Sequence, residues 1–179
     1  MVQGLVNSFG TVIMAAFTVA VKIDSFAYMP VQDFGNSFST FIAQNYGAGE
    51  SKRIKEGIKN AIKVSTLFCV FISGVVYIFA EKLMLIFVQP NEIEIIGEGI
   101  RYLRIEGVFY WGIGCLFLLY GFFRAIEKPG VSLILTIVSL GTRVVLSYSL
   151  AGIPVIGVKG IWWSIPVSYT HLTLPTIRL

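Results

Sequence analysis

The segment VKIDSFAYMPVQDFGNSFSTFIAQNYGAG, residues 21–49, is apolar enough for lipid, yet it holds Lys22, Asp24 and Asp33. Carboxylates and an ammonium in such a setting can bind a cation, carry a proton or line a path for a polar solute. At about 100° per residue, Lys22, Asp33, Asn36, Thr40 and Gln44 fall on one helix face, while Asp24 points to the opposite side. Each charge at the centre of a bilayer costs about 2.5–3.5 kcal/mol even on lenient insertion scales. The stripe must therefore meet a partner helix or water. Two readings stand: the polar wall of a translocation cavity, or a helix seam joined by Asn, Thr and Gln hydrogen bonds.

A second group lies between residues 101 and 110. Glu106 and Tyr110, at i and i+4, share a face, and Glu106 is deep enough in its span to be a proton or cation site. Arg104 is almost opposite Glu106 on the helix, and Arg101 and Arg104 are expected to snorkel to the outer headgroups. Arg143, past the middle of its own span, is either near the outer surface or a buried counter-ion. There is no Gly-rich phosphate loop, HExxH pair, Ser/His/Asp set or His/Cys/Glu cluster. The one histidine, His171, falls in an anomalous tail described below, so the usual general base is missing as well. No enzyme activity, metal site or bound cofactor is expected. Cys69 and Cys115 have no metal-ligand or disulfide-framework spacing and are expected to be small apolar fillers.

The elements that hold these residues are membrane helices. Apolar side chains make up 55% of the 179 residues and charged ones 13%, with a mean hydropathy of +0.78; an ordinary soluble domain has roughly 25% charged residues. Strand-type alternation is absent, so the expected fold class is all-α, a polytopic transmembrane helix bundle. Residues 11–46 would make a helix of roughly 50 Å, with Pro30 as a kink site; a break into two spans at residues 22–24 is the rival reading. The glycines of GAGES cap that helix, and Ser51 is expected to N-cap the next, whose lysines 52, 55, 59 and 63 sit at a headgroup surface. In QPNEIE, Asn91 and Glu94 have capping-box spacing. A single span from about residue 99 to 123 follows, then a loop over 124–130, a span over 131–150, and a turn at GIPVIG. Trp162 and Trp163 suit an interfacial aromatic belt.

Loop charge gives the orientation. Residues 50–63 carry five Lys/Arg against two Glu, and residues 124–128 carry two against one, whereas residues 91–98 hold three Glu and no base. By the positive-inside rule the loops at 50–63 and 124–128 are cytoplasmic, and the one near 93 faces out. These basic residues are assigned to membrane lipid, and no nucleic-acid partner is expected. The opening MVQGLVNSFG lacks the basic start of a signal peptide and reads as mid-protein sequence, so the chain is expected to be a fragment. Residues 168–179, SYTHLTLPTIRL, break the apolar pattern abruptly and resemble translated adapter or vector read-through. They are set apart from a first region, 1–167.

Four stretches, GLVNSFG, KIDSFAYMPVQDFGNSFSTFIAQNYGAG, IRYLRIEGVFYWGIGCLFLLYGFFR and GIWWSIP, resemble the carboxy-terminal half of bacterial multidrug and toxic compound extrusion (MATE) transporters. The resemblance covers residues 1 to about 167. It implies a twelve-helix antiporter of the inner (plasma) membrane, with two six-helix lobes, that exports drugs or small organic cations in exchange for protons or sodium. On that template the chain would hold the end of helix 7, helices 8–11 and the start of helix 12. The missing partner would be the amino-terminal lobe with its helix 1 acids. Residues 11–46 would then be one long helix 8. Some members place an acidic cation ligand near the middle of helix 10, about three turns before the arginine that matches Arg124. Here that place holds Ile113 and Gly114, which leaves Glu106, two turns earlier, as the substitute. Related transporters that flip lipid-linked oligosaccharides would need a more basic cavity, with only Lys22, Arg104 and Arg143 to supply it. A non-functional truncated membrane fragment is the remaining alternative.

Overall fold

The structure, a computed structural model, describes residues 2–151 and 157–176, and all the regular elements among them are helices. In chain order these are α1 (Val2–Asn7), α2 (Thr11–Gly47), α3 (Ser51–Leu85), α4 (Ile93–Val108), α5 (Tyr110–Ala125), α6 (Pro129–Ala151) and α7 (Val158–Thr176). Three of the described helical stretches, α2, α3 and Gly130–Ala151, are long and apolar enough to cross a membrane, and α4 with α5 makes a fourth if the bent pair is one span. Most of the turn at 152–157 lies outside the described residues.

α2 is continuous over 37 residues and runs through Pro30, so the two-span reading of this region does not hold. It stops where Gly49 takes a φ of 73°, in the left-handed region that favours glycine. The Glu50 N–H then donates to the Asn45 carbonyl at 2.9 Å and the Ala48 N–H to that of Gln44 at 3.1 Å, closing the helix end.

Three expectations about helix ends are corrected. Glu50, not Ser51, is the N-cap of α3, and Glu92, not Asn91, that of α4; neither makes a side-chain cap bond. The loop expected over 124–130 shrinks because α5 runs on through Arg124 to Ala125 and α6 starts at Pro129, a residue suited to a first helical position. The single span expected from 99 to 123 is instead two helices, broken at Phe109 and bent by 54°. No proline causes this break. Gly107 lies just before it, and its carbonyl accepts a 2.6 Å hydrogen bond from the Ser73 hydroxyl of α3.

α2 is the hub, packing on α3, α4 and α5, while α6 packs chiefly on α7. Lipid tails are as apolar as the side chains they would displace, so contact here depends on close fit more than on burial from water. The α2–α5 crossing shows it: a Cβ on Gly121 would lie 2.6 Å from the Gly35 carbonyl oxygen, and one on Gly35 would lie 3.1 Å from that of Phe117. At the other end of α2, Phe17 stacks on Trp162 with ring centres 5.4 Å apart, and Tyr102 meets Trp162 edge-on at 5.1 Å. Trp162 is thus fully buried and belongs to the core rather than to an aromatic belt; Trp163 remains exposed. Cys69 and Cys115 are buried free thiols. Facing outwards, Leu67, Phe71 and Ile78 of α3 and Leu133, Ile137 and Val145 of α6 leave broad apolar surfaces.

Candidate functional site

The ionisable residues of the spans separate into a buried cluster and an exposed stripe, on opposite sides of α2. The buried side begins with Asp24, which is 4% exposed although it lies midway along an apolar helix. Tyr110, at the first position of α5, donates its hydroxyl proton to Asp24 Oδ1. Glu106, in the last turn of α4, is 3% exposed. The Tyr169 hydroxyl donates to its Oε1 at 2.9 Å, while its Oε2 is buried with no hydrogen-bond partner. Tyr102, one turn before Glu106, faces both carboxyls. Arg143 of α6 stands close enough for its charge to act on Glu106, yet its Nε is buried and unpartnered. The Arg101–Glu98 pair at 2.5 Å is the one ion pair among the described residues, so Arg143 and Glu106 do not form one.

The break at Phe109 explains how the cluster is assembled. In one straight helix Glu106 and Tyr110 would share a face. With the bend between them, Tyr110 is turned towards α2 and takes Asp24 as its partner, while still lying near Glu106. Phe109 therefore separates two residues of one cluster, and Ser73 supports the backbone at that point.

On the other side of α2, Lys22, Asp33, Asn36, Thr40 and Gln44 are all exposed. Arg124, from the last turn of α5, reaches Asn36 Oδ1 with its Nη2 at 2.8 Å and Ser39 Oγ with its Nε at 3.4 Å. The same arginine follows the close approach of Gly35 and Gly121, so it binds α2 to α5 one turn beyond their tightest contact. Thr40 bonds back to the Asn36 carbonyl, at 3.4 Å, and Ser37 to that of Asp33, at 3.1 Å.

The sequence alone puts Glu106 and Tyr110 on one face and points to Asp24 and Arg143 as separate candidates, but not to the meeting of Asp24 with Tyr110. It passes over Tyr102, Arg124 as the partner of Asn36, and Ser73. Tyr102 was within reach, since it is four residues before Glu106 on the same helix face. The link from Arg124 to Asn36 spans 88 positions, and no local pattern signals it. Among the described residues no group of three or more His, Cys, Asp or Glu is placed to hold a metal ion.

A family model described as MatE matches residues 1–149. Similar curated proteins include the probable multidrug resistance protein YpnP of Bacillus subtilis, 26% identical over 170 residues that cover 94% of this chain and 37% of that protein. The FAD transporter of Shewanella oneidensis is 25% identical over 156 residues, covering 87% of this chain and 34% of that one. Among solved structures, an outward-facing multidrug resistance MATE transporter of the MOP superfamily superposes with a TM-score of 0.89 at 21% identity, over 97% of this chain and 39% of that one. A MOP superfamily transporter from Pyrococcus furiosus gives the same TM-score at 20% identity, with the same coverage. The chain thus spans little more than a third of the length of the relatives it matches.

Proposed function

Because this chain belongs to the MatE family of transporters, we propose that it is the carboxy-terminal lobe of a secondary active efflux transporter that exports drugs or organic cations in exchange for protons or sodium. The one observation that carries the coupling is the pair of carboxyls, Asp24 and Glu106, buried in an apolar lobe, with the Tyr110 hydroxyl on Asp24. Ionisable groups at this depth are expensive and belong to ion or substrate pathways far more often than to simple packing. On the outer side of α2, the stripe from Lys22 to Gln44 would line the water-filled space between the lobes, with Asp33 as the acidic group facing a cationic substrate. Two lobes meeting at the mid-membrane and rocking about a fixed site would alternate access to it.

In this reading the loops at 50–63 and 124–128 are cytoplasmic, and the membrane is the bacterial inner membrane. Residues 168–179 are taken as a non-native tail. The coupling mechanism accordingly uses Asp24, Glu106, Tyr110 and Arg143, all within residues 1–149, and gives Tyr169 no part.

The test is ethidium export by the full-length transporter in everted membrane vesicles. Asp24→Asn and Glu106→Gln should each lower gradient-driven export, and Asp33→Asn should weaken ethidium affinity. Export unchanged in all three variants would remove the reading. A second reading, a phosphate-bearing anionic cargo, has one point in its favour: Lys22 and Arg124 stand on the exposed side, and one relative is an FAD transporter. Inhibition of ethidium export by FAD would favour it.

A further inference from the structure

Residues 64–80 of α3 carry no charge and are bracketed by Lys63 on one side and by Glu81 with Lys82 on the other. At about 1.5 Å per residue, Lys63 and Lys82 stand about 28 Å apart, close to the thickness of a hydrocarbon core. Lys63 therefore marks one edge of that core, and residues 51–63 rise beyond it. On this extension Lys52, Lys55, Lys59 and Lys63 are all exposed, and at about 100° per residue they fall within about 80° of one another. The opposite face is packed. Ile54, Ile58 and Ala61 join Phe38 and Ile42 of α2 and Leu118 and Ala125 of α5, and the Phe41 ring lies over Gly57. The extension is thus held against the rest of the lobe with its lysines turned away from it.

The row is unfavourable by itself. Lys55 with Lys59, and Lys59 with Lys63, stand at i and i+4, where like charges destabilise a helix. Glu50 and Glu56 are exposed, and neither makes an ion pair with the row, the Arg101–Glu98 pair being the one among the described residues. The positive charge is left for a partner outside the lobe. What lies below on the same face identifies that partner. Thr66, Val70 and Tyr77 continue the line of Lys52, Lys59 and Lys63 down the helix and are exposed, so the cations stand directly above a surface suited to acyl chains. Lys59 and Lys63 lie at headgroup level, while Lys55 and Lys52 reach about 12–17 Å above the core edge, within about a Debye length of the headgroups. A soluble acidic protein or nucleic acid could not reach Lys63 without displacing headgroups.

We infer that this face of α3 is a binding surface for anionic phospholipids, whose headgroups meet the four lysines while their chains lie along Thr66, Val70 and Tyr77. Each ammonium donates to phosphate oxygens, and its methylene stem covers apolar surface below it. Because the extension is packed on the ends of α2 and α5, the contact fixes the height of this end of the lobe in the membrane. The inference goes beyond the transport reading and does not depend on the cargo. It needs α3 to cross the membrane, which the length and composition of this helix allow. Failure of ethidium export would leave it standing.

The test uses the full-length transporter in nanodiscs of neutral phosphatidylcholine, with Thr66→Cys as its only cysteine, carrying a bimane dye. Quenching of the dye by brominated phosphatidylglycerol is compared with quenching by brominated phosphatidylcholine. The anionic lipid should quench at a lower mole fraction. Lys52→Gln, Lys55→Gln, Lys59→Gln and Lys63→Gln together should reduce that preference by more than about tenfold, whereas the four matching Lys→Arg changes should keep it. Where the fourfold glutamine variant aggregates, Lys59→Gln and Lys63→Gln singly should each lower the preference by about twofold to fivefold. Equal quenching by the two lipids with the lysines in place would overturn the inference, as would an unchanged preference with the lysines replaced. Loss of the preference on adding inorganic phosphate at matched ionic strength would assign the row to a soluble anion and overturn it as well.

Discussion

Tyr110 and Asp24 are 86 positions apart in the chain, yet the tyrosine hydroxyl donates directly to the aspartate inside the bundle. The contact joins the first residue of α5 to the middle of α2, and it exists because the α4–α5 span breaks one residue earlier. Helix packing and the polar cluster are therefore one problem: moving the break would move the donor. Replacing Tyr110 by Phe leaves a buried carboxyl without its donor and should lower stability in detergent by about 1–3 kcal/mol. Asp24→Asn combined with Tyr110→Phe should show a coupling of at least about 0.5 kcal/mol in a double-mutant cycle. Thermal unfolding followed by size-exclusion chromatography reads both.

The α2–α5 crossing gives a prediction that is nearly independent of charge. Gly121→Ala would drive a methyl against the Gly35 carbonyl oxygen, backbone on backbone, and should cost about 1–3 kcal/mol with a matching loss of yield. Gly74→Ala, in the interior of α3 with open space around it, should be neutral or slightly stabilising. Equal effects at the two sites would show that the close approach is not what holds these helices.

Arg124 should behave as a brace between helices. Arg124→Ala loses the bonds to Asn36 and Ser39 and should destabilise by about 1 kcal/mol, with Asn36→Ala adding little on top of it. A fully additive double variant in the same unfolding assay would separate the two residues.

Topology can be read by labelling. In a version with Cys69 and Cys115 replaced, a cysteine at Lys55 should react with an impermeant thiol reagent from the cytoplasmic side only, and one at Glu92 from the outside only. The reverse pattern would invert the orientation drawn from loop charge.

Much of this architecture is written locally in the chain. The limits of α2 follow from an apolar run closed by glycines, and the facing of its polar residues follows from helical period alone, which puts Asp24 opposite the stripe. The break at Phe109 was not legible, because nothing at that position forbids a helix and the hydroxyl bonded to the nearby Gly107 carbonyl comes from Ser73, 34 residues before that glycine. Trp162 misled for a related reason: tryptophan near a helix end fits a membrane interface as well as a core, and only the stacking on Phe17 decides. Glu106 and Tyr110 do lie in one cluster, but the bend at Phe109 gives Tyr110 to Asp24 as its hydrogen-bond partner, which the spacing does not show. What a period cannot show is which distant helix supplies the partner, and the cluster is made of such partners.

The central claim is that α2 divides the lobe, with Asp24 sealed inside and the stripe facing water between two lobes. Single cysteines at positions 33, 36 and 40 of the assembled transporter, with one at 24 as the sealed control, test it most directly. The account predicts that an impermeant, charged thiol reagent labels 33, 36 and 40 and spares 24. Labelling of 33, 36 and 40 by a lipid-soluble reagent alone would place the stripe against acyl chains and contradict it.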